Sequence, residues 1–160
     1  MKKFILSALC ALGLVASGMT AQAQETFSKG SNALNVGLAL PARFTNMTFP
    51  PIAVSYERSI TDGIFDKGAI GLGADSELYL YRGGYSLFAG GRISAHYEFI
   101  PRLDTYLGLS LGVVNSGSFF EFATKGHIGA RYLLNDDFGI FGELGTNTFA
   151  ILRAGITLAL

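Results

Sequence analysis

Apolar and polar residues alternate along most of this chain, and the alternation divides it into eight strand-like segments. Ala33–Leu40 places Leu34, Val36, Leu38 and Leu40 on one face. Ile52–Ser59 places Ile52, Val54 and Tyr56 there, and Ala69–Tyr81 places Ile70, Leu72, Ala74, Leu78 and Leu80. Tyr85–Phe99, Thr105–Val113, Phe120–Leu134 and Phe138–Gly145 continue the rhythm. The last segment, from Ala150, sets Leu152, Ala154, Ile156, Leu158 and Leu160 against Arg153, Gly155, Thr157 and Ala159. No segment holds a sustained helical period, and no 20-residue apolar run follows residue 23.

The connections read as a meander. Gly83-Gly84 is a two-residue hairpin signal. Ile100-Pro101-Arg102-Leu103-Asp104 and Asn135-Asp136-Asp137 read as tight turns, and Thr61–Gly63 with Asp66–Gly68 flank another connection. Asn115–Gly117 and Thr146–Thr148 complete the series. Pro41–Pro51 is the longest loop, bounded by prolines that cannot donate to a ladder. With Gly83-Gly84 as the turn, Asp75 should face Arg92; counting around Thr148 sets Glu143 opposite Arg153.

The polar faces carry the candidate chemistry. Their ionisable residues are Glu57, Asp75, Glu77, Arg92, His96, Glu98, Glu121, Lys125, His127, Arg131, Glu143 and Arg153, interleaved with Gly and Ser. A solvated face has no need of so much Gly and Ser, whereas the narrow bore of an eight-stranded barrel must interleave small and large side chains. Strands of ten or more residues suit a tilted crossing of a bilayer. Aromatics sit near strand ends: Tyr97, Phe99, Tyr132 and Phe138 near one rim, Phe44, Phe49, Tyr85, Phe120 and Phe122 near the other. The expected fold is an eight-stranded antiparallel up-and-down transmembrane β-barrel, apolar outside and charged within; the competing arrangement is a secreted soluble β protein with the faces inverted.

The first 23 residues carry a different pattern. Lys2 and Lys3 precede an apolar run, Phe4–Ala16, that is too short to span a bilayer, and Ala21-Gln22-Ala23 is an A-x-A cleavage site. A signal peptide over 1–23 and a barrel domain over 24–160 are expected, with Gln24–Asn32 a loose lead-in. Cys10, the sole cysteine, falls inside the leader, so no disulfide or cysteine metal site is expected beyond it. Without Lys2 and Lys3, the twelve basic residues become ten against twelve acidic ones. That balance gives no case for nucleic acid as a partner.

Arg153-x-Gly155-x-x-Leu158-x-Leu160 resembles the closing-strand signal of bacterial outer-membrane barrels, with Leu160 where Phe is usual. With the strand rhythm, the chain resembles small outer-membrane barrels of the OmpA/OmpX type. The resemblance implies outer-membrane lipid and the outer-membrane assembly machinery as partners, both termini on the periplasmic side, and short outer loops. His96 and His127 raise two other possibilities. Outer-membrane lipid A deacylases use a His, Ser and Glu arrangement with Ser two residues after His; here Gly129 follows His127 at that spacing, and Ser94 precedes His96. Two histidines among carboxylates could also hold a metal. The reading of the residues is a hydrogen-bonded lumen, with no enzyme and no cofactor. A small-solute pore and a lipid-modifying enzyme remain the competing functions.

Overall fold

Strands with one apolar and one polar face are stable only if each face meets a matching surface, and closing the sheet separates the two without leaving an edge. In a computed structural model of the chain, described over residues 26–41, 47–117, 119–146 and 150–160, the sheet closes. The strands are β1 (Asn32–Pro41), β2 (Met47–Ile64), β3 (Gly68–Tyr81), β4 (Gly84–Ile100), β5 (Leu103–Ser116), β6 (Phe119–Leu133), β7 (Phe138–Thr146) and β8 (Ala150–Ala159). Each pairs antiparallel with the next, and β8 returns to β1. The expected leader, Cys10 and Phe44 lie outside the described residues.

The stagger follows from the pairing. From Gly37, one way round the barrel passes Ala53, Glu77, Phe88 and Val114 to reach Glu121 on β6. The other way passes Gly155 and Phe141 to reach Arg131, ten residues further along the same strand. Such an offset tilts the strands, by roughly 35–45° in closed barrels. The wall is also uneven: β2 has 18 residues and β4 has 17, whereas β1, β7 and β8 have 10, 9 and 10. At the end away from the chain termini, β7 meets β6 only as far as Thr146 against Gly126. The outer part of β6 is paired with β5 alone among the described residues.

The faces divide as the alternation predicts. Leu107, Leu109 and Leu111 of β5 are 63%, 54% and 66% exposed, while Tyr106 and Ser110 on the other face are buried. Arg153 and Thr157 of β8 are buried and Ile156 between them is exposed; the alternation breaks only at the start of β8, where Ala150 is buried and Ile151 exposed beside a register irregularity to β1. The large aliphatic side chains thus form the outer wall, and the interior is filled mainly by polar groups around a few buried rings, Phe88, Tyr106 and Phe141.

Three local expectations fail. The β3–β4 turn is Arg82-Gly83, not Gly83-Gly84: Tyr81 pairs with Gly84, and Gly83 takes φ +99°, the left-handed position at which a tight turn needs glycine. The register moves by two residues, so Asp75 stays on the inner face but opposes Gly90, not Arg92. The Pro41–Pro51 loop is shorter than expected, because β2 already begins at Met47 and carries Pro50-Pro51 where its register to β3 is irregular. Finally, Gln24–Asn32 is not loose where it is described. Phe27 is 7% exposed and lies under the inner mouth of the barrel, and Ser28–Ser31 closes a turn through Ser31 N–H to Ser28 O at 2.9 Å.

Candidate functional site in the charged lumen

Ten of the ionisable residues assigned to the inner face by alternation are buried in the bore: Glu57, Asp75, Glu77, Arg92, His96, Lys125, His127, Arg131, Glu143 and Arg153. A charge in a bore of this width has no bulk water and must find partners there. The partners lie mostly across the barrel.

The inner half is built on Glu57 of β2. Its carboxylate takes Arg92 Nε at 3.2 Å, Arg131 Nη2 at 3.3 Å and His96 Nε2 at 3.4 Å. Asp104 takes Arg131 Nη2 at 2.9 Å and His96 Nδ1 at 3.0 Å. Tyr106 fills the space between the two guanidinium groups, whose carbons lie 5.2 and 4.9 Å from its ring centroid. Its hydroxyl donates to Glu143 at 3.3 Å. Gly129 opposes Tyr106 on β6, and a Cβ there would sit 2.5 Å from the ring, so the glycine leaves the space the tyrosine uses.

In the outer half, Arg153 and Lys125 meet Asp75 and Glu77. Arg153 Nη1 lies 2.9 Å from Asp75, its Nη2 bonds Glu77, and Lys125 Nζ lies 3.0 Å from Asp75 and 3.4 Å from Glu77. Ser110 donates to Asp75 at 3.0 Å. Glu143 links the halves, with Arg92 Nη1 at 2.8 Å and Arg153 Nη1 at 3.4 Å. An aromatic ring closes each end of the column: Phe88, with Lys125 Nζ 4.1 Å from its centroid, and Phe27, with the Arg131 guanidinium carbon at 4.8 Å.

The predicted Glu143–Arg153 pair therefore forms, across adjacent strands as counted. The predicted Asp75–Arg92 pair does not: Arg92 goes to Glu57 and Glu143, and Asp75 to Arg153 and Lys125. Glu121 is not a lumen residue. It has inner-face parity but is exposed, because it lies on the outer part of β6 where no described residue of β7 closes the wall. Glu98 is half-buried at the inner rim, where its Oε2 accepts the Thr26 N–H at 2.7 Å. Asp104, read as a turn residue, lies inside β5 and is buried. Leu103 already pairs with Ile100, so the turn needs only Pro101-Arg102, and Asp104 falls one residue into the strand with inner parity.

His127 is held apart from the carboxylates. Its Nε2 lies 3.0 Å from Ser94 Oγ, and its Nδ1 has no hydrogen-bond partner among the described residues. Gly108 makes room for the pair, since a Cβ there would lie 2.6 Å from the imidazole. A histidine that activates a hydroxyl is oriented by a third group and reached by substrate. This pair lies in the filled bore with its second ring nitrogen unbonded. Among the described residues no three His, Cys, Asp or Glu side chains come together as a metal-binding group.

Comparison with known proteins bears on the fold. No family model and no curated protein matches the chain. Among solved structures, one described as "De novo design of transmembrane beta-barrels" matches at TM-score 0.61 and 13% identity, over 83% of this chain and 98% of that one. This chain is similar in fold to a designed transmembrane β-barrel. At that identity the likeness concerns the closed eight-stranded architecture, and it does not extend to the lumen residues described above.

Proposed function

We propose that the chain is an integral outer-membrane β-barrel with a structural or interaction role in a Gram-negative envelope, not an enzyme. It would be exported by a signal peptide over residues 1–23 and inserted by the outer-membrane assembly machinery reading Arg153, Gly155, Leu158 and Leu160. The observation that carries this reading is the sorting of side chains. Large aliphatic residues line the exposed outer wall on β4, β5, β6, β7 and β8, while the charged ones are buried inside. In water that arrangement would leave a large apolar surface uncovered; in a bilayer the outer wall meets lipid and closure of the sheet pairs the strand backbones with one another. The OmpA/OmpX type is the family this reading favours.

The column of ion pairs also favours a filled core over a pore. Conduction would require water along the bore, and the bore holds salt bridges capped by Phe88 and Phe27. Fractionation of Gram-negative cells expressing the full chain tests the localisation: the protein should sediment with the outer membrane and migrate differently before and after boiling. Recovery as a soluble periplasmic protein would contradict it. Planar-bilayer recording tests the core: the barrel should show no steady conductance, and stable channels would favour the small-solute pore.

A further inference from the structure

The segment before β1 is built into the barrel. Phe27 lies with its ring centroid 4.1 Å from that of His96, and the Arg131 guanidinium carbon is 4.8 Å from the Phe27 ring. Ala33 and Ala69 complete its buried surroundings. The wall is shaped for it: a Cβ on Gly71 would sit 3.2 Å from the Phe27 ring and 2.9 Å from His96 Nε2. The chain reaches this position through a turn over Ser28–Ser31. There Gly30 takes φ +92°, and its N–H bonds Ser59 O at 3.0 Å. Two strands away from Ser59, on β4, Glu98 accepts the Thr26 N–H.

We propose that Thr26–Ser31 is a stopper that withdraws independently of the barrel: Phe27 seals the inner mouth, Glu98 latches it, and withdrawal admits water to His96, Asp104, Arg131 and Glu57. The attachment explains why it can move alone. The barrel is held by continuous ladders, whereas this segment is held outside its own turn by the Thr26–Glu98 bond, by two backbone bonds to Ser59 (Gly30 N–H to Ser59 O and Ser59 N–H to Ser31 O), and by one ring packed on His96, Arg131, Ala33 and Ala69. Segments with few buried apolar contacts and few backbone bonds open at lower free energy than the structure they join. The inference rests on the closed barrel and not on its setting, so a soluble location in the fractionation experiment would leave it standing.

Cys10 is the sole cysteine and lies within the expected leader, so a cysteine placed in the barrel is a single reporter. Ala69→Cys puts a thiol beside Phe27 on the buried face. In the full-length protein processed in cells and purified in detergent, a charged, water-soluble maleimide should label Ala69→Cys slowly. Adding Phe27→Ala should raise the rate by about tenfold or more, the ratio for a cover whose opening costs about 1.4 kcal/mol or more. Phe27→Tyr should keep the slow rate. Equal rates with and without the Phe27→Ala change, in proteins that both keep heat-modifiable migration, would overturn the proposal. If Phe27→Ala does not fold, hydrogen exchange of the unmodified protein decides: the Thr26 and Gly30 amides should exchange well ahead of the β1–β2 ladder amides. Equal protection would show that the segment opens only with the barrel.

Discussion

Arg153 shows what a single side chain does in this molecule. It lies on the inner face of β8 and reaches Asp75, Glu77 and Glu143. Replacing it by Ala leaves those carboxylates buried with fewer cations, which should cost about 3–5 kcal/mol. Glu143→Ala in the same chain should recover part of that loss, because one of the stranded charges is gone. A double-mutant cycle in reversible unfolding would measure the coupling, and additivity would show that the pair carries none. Asp104 and Glu121 make a second contrast. Asp104→Ala leaves Arg131, His96 and Arg92 to share the carboxylate of Glu57 and should cost about 3–5 kcal/mol, whereas Glu121→Ala, at an exposed position, should stay within about 0.5 kcal/mol. Chemical denaturation in micelles would order the two, and a large loss at Glu121 would place it inside the bore after all. Alternation assigns a residue to a face but not to a height, so it places Glu121 inward although the residue is exposed. Asp104 was hidden by its neighbours, because Pro101 and the polar residues around it resemble a longer turn than the chain makes.

Among the elements, the eight strands and their order were legible because each segment alternates and most connections are short. Partners were legible only between neighbours. Counting through a hairpin relates adjacent strands, as it did for Glu143 and Arg153. Most ion pairs, such as Arg92 with Glu57 and Arg153 with Asp75, cross the bore between non-adjacent strands and depend on closure and stagger. The β3–β4 hairpin failed by two residues because both Gly83 and Gly84 permit a left-handed turn, and only the folded ladder decides between them. The closing strand carries its own prediction. Leu158 pairs with Leu34 and Phe138, and the Leu160 N–H bonds Asn32 O at 2.9 Å. Deleting Leu158–Leu160 should leave unassembled protein in the periplasm, whereas Leu160→Phe should assemble at least as well as the unaltered chain. Normal outer-membrane levels of the truncation would remove the assembly role of this end.

At the scale of the whole molecule, one inversion organises everything else: charge inside, hydrocarbon outside. Leu109 lies on the exposed face of β5, paired with Ile93 and Gly126, and Ser110 follows on the buried face. Leu109→Arg near the bilayer midplane should cost about 2–4 kcal/mol; unchanged stability in lipid vesicles would argue against a lipid-facing wall. The most direct test reads the wall itself. Spin labels attached singly at residues 107–113 of the vesicle-reconstituted protein can be probed with oxygen, which concentrates in lipid, and with a water-soluble nickel chelate. Oxygen accessibility should peak at Leu107, Leu109, Leu111 and Val113 and fall at Gly108, Ser110 and Gly112, with the chelate excluded from all seven. Peaks in chelate accessibility at the leucines, with oxygen showing no alternation, would place the apolar wall in water and contradict a membrane barrel.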